Sequence, residues 1–517
     1  MKKTDKTLFI ILASLSMLML VQGLTHALPL ELSGYTQKPE QVRPTFQTCR
    51  DASYQGYLSE CAKHNGGFRE LFIRLYNQYL WTCFSKTNCT EVVRGKDNWF
   101  FYPENVNDYY GTEMYRWQPT AEIARETYDR EARLMYKLRA ILKEYDVEFL
   151  MFMAPEKGRL YPEHLPDRDF DTTTVDALAY YEAKFNEYDF PYIEMTRWFQ
   201  TMKDTMPYSL IPQAGAHWGF SSVVAADSLF RFMGTLKGQP LHHLCFGPLH
   251  KSDRATTEGD CDLGNMLNLV VPVRHDNDIL LDAKVTVEAD ASTERPSALF
   301  VGNSYLWRMI YYIPFDEVFS HSEYWFYNST AYYGKDFRET RPVPGIDILQ
   351  KVINSDYVVW FTTGAQMYKV SYGFVEKALM DLCLSNERRD EVRIRLMDSL
   401  STSYGTTDTI RLWQEANMML ISNPEKWFPE LAGDSIPTLR NPRLADVLAQ
   451  RSMDRHPAMT DSIVGQLKAW IRTRPDMMKV ISQKAQAKGI SEDESLDRDV
   501  RWMVIRKIKD GEIVYPD

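Results

Sequence analysis

The chain has 517 residues, more than one hydrophobic core usually absorbs, so one large domain of about 250 to 300 residues with smaller attachments is expected. Hydrophobic residues make up 44% and aromatics 13%, with 12 Trp and 30 Tyr, which excludes a disordered polymer. A net charge of -10 repels phosphate backbones and argues against a nucleic-acid partner.

At the amino end, Lys2, Lys3 and Lys6 precede an uncharged apolar run from Leu8 to Leu24, the layout of an export signal. The run is at the short limit for crossing a bilayer, and Thr25, His26 and Ala27 make a fair cleavage site. Residues 1–27 are thus expected to be either a cleaved signal or a retained anchor, with the rest exported to the periplasm. Export makes Cys49, Cys61, Cys83, Cys89, Cys245, Cys261 and Cys383 readable as an oxidising-compartment set. Up to three bridges are expected, Cys245 and Cys261 flanking one loop and Cys383 left over.

Residues 28–90 read as a helical lead-in. Val92 and Val93, a Gly95-Lys96-Asp97-Asn98 turn, and Trp99 to Tyr102 give a hairpin signal. A long helix from Thr120 is predicted by Leu134, Leu138, Ile141, Leu142 and Tyr145 on one face. Val147 to Ala154 is nearly continuously apolar and ends at Pro155, a strand covered on both faces. A helix over 174–188, a short strand at Tyr192 to Met195, and strands at Ala298 to Val301 and Tyr357 to Phe361 continue an alternation that predicts a parallel sheet in a layered α/β domain, residues 91–375. The tail, 376–517, is charged and helical. In it Ile463, Val464, Leu467, Trp470 and Ile471 form a stripe, Gly489 stops one helix, and Ser491 with Glu494 starts the next.

In such sheets functional groups gather at the carboxyl edge of the strands, where Gly302, Asn303 and Ser304 fall. A small turn there allows close approach to a ligand, and a helix starting near Tyr305 would aim N–H groups at a developing oxyanion. The same tripeptide also serves as an ordinary strand-to-helix turn with Ser as N-cap. Among ten histidines, His217 lies in a Gly-containing loop before a helix near Ser221, suited to a base beside Trp218, or to a surface or capping role. No carboxylate stands next to it. A backbone carbonyl, or a distant Asp227, Asp260 or Asp262, could orient the ring. His242, His243, Cys245, His250 and Cys261 fit no tight zinc pattern, and no phosphate loop or dinucleotide fingerprint follows a predicted strand. Neither a metal nor a cofactor is expected.

Four segments resemble, in order, the SGNH-hydrolase-like alginate O-acetyltransferase family of the J/X type. They are VVRGKDNWFFY (residues 92–102), FMAPEKGRLYPEHLP (152–166), AHW (216–218) and FVGNSY (300–305), spanning roughly residues 90 to 375. The resemblance implies a three-layer SGNH-like fold, Ser304 as nucleophile and His217 as base. It also implies Gly302, Asn303, Lys157, Tyr305 and Trp218 in oxyanion or substrate-binding roles. By the same resemblance acetyl passes from a membrane-bound O-acyltransferase through Ser304 to hydroxyls of an exported polysaccharide. The family's Asp-x-His-Trp block departs here to Gly215-Ala216-His217-Trp218, which removes the usual Asp and keeps open two alternatives, a carbohydrate acetyl esterase and a non-catalytic glycan-binding subunit.

Overall fold

Val147 to Ala154 places a large side chain on both faces of one strand, so it needs a layer on each side. In the computed structural model it forms β1 (Glu148–Ala154), buried at every position. The structure describes residues 3–25, 27, 32–34, 39–64, 67–112, 120–206, 208–251, 260–273, 281–288, 293, 295–369 and 371–516; His26 of the expected cleavage site lies outside them.

Six further strands complete one sheet: β2 (Tyr192–Glu194), β3 (Ser297–Gly302), β4 (His321–Phe326), β5 (Thr330–Tyr333), β6 (Glu339–Pro342) and β7 (Tyr357–Thr363). Their order is β6-β5-β4-β3-β7-β1-β2. The five from β4 to β2 run parallel, as the alternation predicts. The expected parallel sheet is thus present, and β5 and β6 extend it antiparallel at one edge, so that the sheet as a whole is mixed. Tyr327 and Asn328, both in the left-handed region at φ 47° and 50°, reverse the chain tightly between β4 and β5.

Alternate side chains divide the interior into two cores. Phe149, Met151 and Met153 with Val358 and Trp360 pack under α1 (Ala121–Lys143) and α2 (Ala177–Glu187). Leu150 and Phe152 with Phe300, Val359 and Phe361 pack under α3 (Ser221–Lys237). This is a three-layer α/β arrangement, the sheet between two layers of helices. Thr120 caps α1 by accepting the Ile123 N–H, and the apolar stripe anticipated in that helix is its buried face.

Before the sheet, helices Phe46–Arg50, Ser53–His64 and Arg69–Phe84 lead to the hairpin Val93–Arg94 and Phe100–Phe101. Asn77 and Arg74 tie the last helix to the domain through the Leu267 and Leu269 carbonyls, at 2.9 and 3.0 Å. After β7, the first face's core continues through Leu396, Leu412 and Val447. The final three helices (Pro457–Arg472, Pro475–Lys488, Glu492–Lys509) build a core of their own from Val464, Ile471, Ile481, Leu496, Val500 and Val504. Gly489 ends one at φ 66°, and the Ser491 hydroxyl accepts the Glu494 N–H of the next; Glu494 turns its carboxylate to Arg498 rather than closing the box.

All seven cysteines are free in this structure, so none of the possible bridges is seen. Cys245 stands on a two-stranded ribbon opposite Thr286, whereas Cys261 is buried among Val92, Phe100, Ala214 and Leu263. Cys383 lies in the main core, where burial pushes its thiol up to about 12.

Candidate active site

Strands β1, β3 and β7 end side by side, and the loops that follow them share one edge of the sheet. Gly302 closes β3, and its missing side chain has a definite reason: a Cβ there would lie 1.9 Å from the Phe361 carbonyl oxygen of β7. The close approach that requires glycine here is to the neighbouring strand.

Asn303 is buried and shapes the turn. Its N–H donates to the Phe361 carbonyl at 3.2 Å, its Oδ1 accepts the Tyr305 N–H at 3.2 Å, and its own carbonyl accepts the Tyr324 hydroxyl. So pinned, the turn leaves Ser304 partly exposed ahead of α5 (Leu306–Tyr312). Ser304 does not cap that helix; Tyr305 holds the cap position without a side-chain bond. The Ser304 Oγ instead lies 2.8 Å from His217 Nε2.

His217 sits in a loop that has no regular backbone ladder, so its carbonyls need other donors. Three side chains supply them. Lys157 Nζ, fully buried just beyond β1, shares its three N–H groups among the carbonyls of Phe100, Pro212, Gln213 and Gly215 at 2.6 to 3.0 Å. The Tyr305 hydroxyl donates to Ala216 at 2.6 Å, and Arg308 Nε to Trp218 at 3.0 Å. The expectation that Lys157 contacts substrate is therefore corrected: the ammonium is enclosed by backbone oxygens. Trp218 is corrected likewise, being buried with its indole N–H on the Tyr305 carbonyl at 2.9 Å.

The carboxylate comes from α4 (Asp262–Met266). Asp262 Oδ2 lies 2.7 Å from His217 Nδ1, and its Oδ1 accepts the Ala216 and Leu263 N–H groups at 2.7 and 2.9 Å. Of the three distant candidates, Asp227 pairs with Arg231 and Asp260 with Arg308, so Asp262 alone reaches the ring. The vacancy at Gly215 is filled from 45 residues beyond the histidine.

Two openings meet at Ser304 and His217. A groove of about 710 Å³ is bordered by Trp307, Arg308, Tyr311, Asp336 and Arg338. A narrower chamber of about 350 Å³ is lined by Tyr102, Asn105, Tyr305, Tyr327, Gln366 and Tyr372. Burial raises the Tyr102, Tyr305 and Tyr372 phenols well above their ordinary range, so they act as hydrogen-bond donors and not as acids or bases. Tyr305 was named from the sequence, whereas Asn105, Gln366, Tyr102, Tyr327 and Tyr372 escaped sequence reasoning because each is an isolated polar residue in its own segment. The one usable signal was Gln366, close after the end of a predicted strand. Among the described residues, no three His, Cys, Asp or Glu side chains gather as metal ligands.

A serine, an imidazole and a carboxylate in this relay, beside a cavity, are equipped for acyl transfer through a serine ester. Residues 92–305 match the family described as "SGNH hydrolase-like domain, acetyltransferase AlgX", a segment that contains His217, Asp262 and Ser304. No curated protein matches the chain. Similar solved structures include the O-acetyltransferase domain of Pseudomonas putida AlgJ, at 18% identity over 54% of this chain and 92% of that one, with a TM-score of 0.35. Pseudomonas aeruginosa AlgX follows at 14% identity over 55% and 65%, TM-score 0.33. Bacillus cereus PatB1 has 11% identity over 54% and 99%, TM-score 0.31. The family match over residues 92–305 bears out the resemblance carried by the four motifs: this segment is similar to the SGNH hydrolase-like domain of the AlgX acetyltransferase family.

Proposed function

We propose that the protein is an exported O-acetyltransferase that moves acetyl through an ester on Ser304 to hydroxyls of an exopolysaccharide or cell-surface glycan. The observation that carries this reading is the relay of 2.8 Å from Ser304 Oγ to His217 Nε2 and 2.7 Å from His217 Nδ1 to Asp262. In the first half-reaction Oγ attacks the acetyl carbonyl as His217 Nε2 takes its proton, and the proton passes to the leaving group as the old acyl bond breaks. In the second, a sugar hydroxyl gives its proton to the same nitrogen, attacks the ester, and restores Ser304. Asp262 holds the Nδ1–H tautomer throughout and stabilises the transient imidazolium. A positioned base of this kind typically contributes about 10² to 10⁴ in rate.

Trp307 and Tyr311 along the groove offer ring faces of the kind that sugars stack on. The apolar helix Lys3–Thr25, behind its basic start, supports export as a signal or anchor. Delivery of acetyl by a membrane-bound O-acyltransferase rests on the family resemblance. Because the groove is open to water, hydrolysis competes with transfer, which keeps acetyl esterase as the second reading.

The test is incubation of the purified protein with a chromogenic acetyl ester, with and without oligosaccharide acceptors, followed by intact-mass analysis. An acetyl adduct on Ser304 that forms in the parent, disappears in Ser304→Ala and is passed to sugar supports the proposal. Acetate released only to water supports the esterase, and no adduct or turnover in the parent overturns both.

A further inference from the structure

An acyl transfer places negative charge on the carbonyl oxygen as the Oγ–C bond forms, and a dry site must meet that charge with fixed donors. The narrow chamber beside Ser304 contains two side-chain amides, Asn105 and Gln366. Which end Gln366 presents can be read from its neighbours. The Tyr305 N–H fixes Asn303 Oδ1 at 3.2 Å, so Asn303 turns its nitrogen toward Gln366 and Thr363, at 3.1 and 3.4 Å. Gln366 Oε1 accepts from that nitrogen and also from the Tyr372 hydroxyl at 2.7 Å, a phenol that burial keeps protonated. With its oxygen engaged twice, Gln366 has its NH₂ group left for the chamber, and Nε2 has no acceptor among the described residues.

We infer that Gln366 Nε2 is an oxyanion donor, held in orientation by the same Asn303 that shapes the Ser304 turn; the inference rests on the serine-ester reading above. During attack the carbonyl π pair moves onto oxygen and Nε2–H donates to it. On collapse that pair re-forms the carbonyl and the leaving group departs with the proton from His217. Gln366 neither gains nor loses a proton. The chain of amides ties nucleophile and donor together, so a shift of the turn moves both.

The experiment uses the full chain with 4-nitrophenyl acetate, comparing the parent with Gln366→Ala, Gln366→Glu and Asn105→Ala. For Gln366→Ala the expected result is a fall in kcat of about 10²-fold with KM and the pH midpoint of the rate unchanged. Gln366→Glu, the same shape but facing the oxyanion with a carboxylate, falls at least as far. A Gln366→Ala rate within about twofold of the parent overturns the assignment, as does a loss confined to Asn105→Ala. A loss that travels with a displaced pH midpoint also overturns it, since that marks a disturbed Ser304–His217 pair rather than a missing donor. If the parent neither cleaves the ester nor is labelled on Ser304 by phenylmethanesulfonyl fluoride, the serine-ester reading fails first; a labelled, active parent with an undiminished Gln366→Ala fails the assignment alone.

Discussion

Asp262 Oδ2 and His217 Nδ1 are 2.7 Å apart, and the other carboxylate oxygen of Asp262 accepts the N–H of Ala216, the residue just before the histidine. One side chain therefore fixes both the imidazole and the backbone that carries it. Asp262→Asn keeps an acceptor for the Ala216 N–H but can offer an amide N–H to Nδ1, favouring the tautomer with Nε2 protonated. A comparable change in a serine protease triad costs about 10⁴ in kcat. The expected outcome is a loss of about 10³ to 10⁴ in ester turnover with the melting temperature held near that of the parent; an unaltered rate would remove Asp262 from the relay.

Gly302 and Phe361 belong to adjacent parallel strands that come too close for a side chain between them, with 1.9 Å available to a Cβ. Because the obstacle is a ladder carbonyl and not a flexible tip, Gly302→Ala must spread β3 from β7. Overpacking of this kind costs about 1 to 3 kcal/mol and sometimes more. Denaturant unfolding should give a loss in the upper part of that range, and turnover should fall further than stability alone explains, since Ser304 is two residues away.

What the sequence revealed follows the range of each interaction. The strands β1, β3 and β7 and the helix α1 were legible because burial on both faces, or on one stripe, leaves a periodic mark. Ser304 and His217 were legible as small or titratable residues at strand and helix ends. Asp262 remained one of three choices, because nothing local ties a residue on a short helix to a histidine 45 positions earlier. Lys157 was misread for a related reason: a lysine beside a motif looks like a ligand contact, and only the fold shows the carbonyls of Phe100, Pro212, Gln213 and Gly215 closing around it. The antiparallel edge was missed because it depends on the backbone conformation of Tyr327 and Asn328, which are not glycines.

Arg308 joins the three segments that carry the relay. It projects from α5, just after Ser304, donates to the Trp218 carbonyl beside His217, and pairs with Asp260, two residues before Asp262. Both partners are buried. Arg308→Gln separates a buried carboxylate from its guanidinium, a change that typically costs about 3 to 5 kcal/mol. The double change Arg308→Met with Asp260→Leu removes both charges and should recover much of the melting temperature, since apolar replacement of a buried pair is often near neutral. Turnover should stay depressed in the double variant, because the Trp218 carbonyl still lacks its donor. Recovery of both together would mean that Arg308 contributes stability only.

The pH dependence of stability should carry a clear contribution from two glutamates that are not part of the relay, the largely buried Glu131 and the fully buried Glu156. Burial first, and repulsion from Glu376 second, pushes the Glu131 carboxyl up from its ordinary 4.5 to about 7, against the opposing hydrogen bond from Tyr181. Burial and the nearby Asp108 push Glu156 up to about 7 in the same way. The folded chain thus keeps protons that the unfolded chain releases near 4.5. Their contribution is fully present below that value, declines as pH rises between the two, and is gone once pH passes about 7. Each should be worth on the order of a few kcal/mol. Melting temperatures recorded from about pH 5 to about pH 8 should therefore fall steadily. Glu131→Gln, which retains an acceptor for the Tyr181 hydroxyl and cannot ionise, should flatten part of that slope and stabilise the protein at the alkaline end. A parent whose melting temperature is level across this range, or a Glu131→Gln variant with the parent's slope, would show that these carboxyls titrate alike in the folded and unfolded chain.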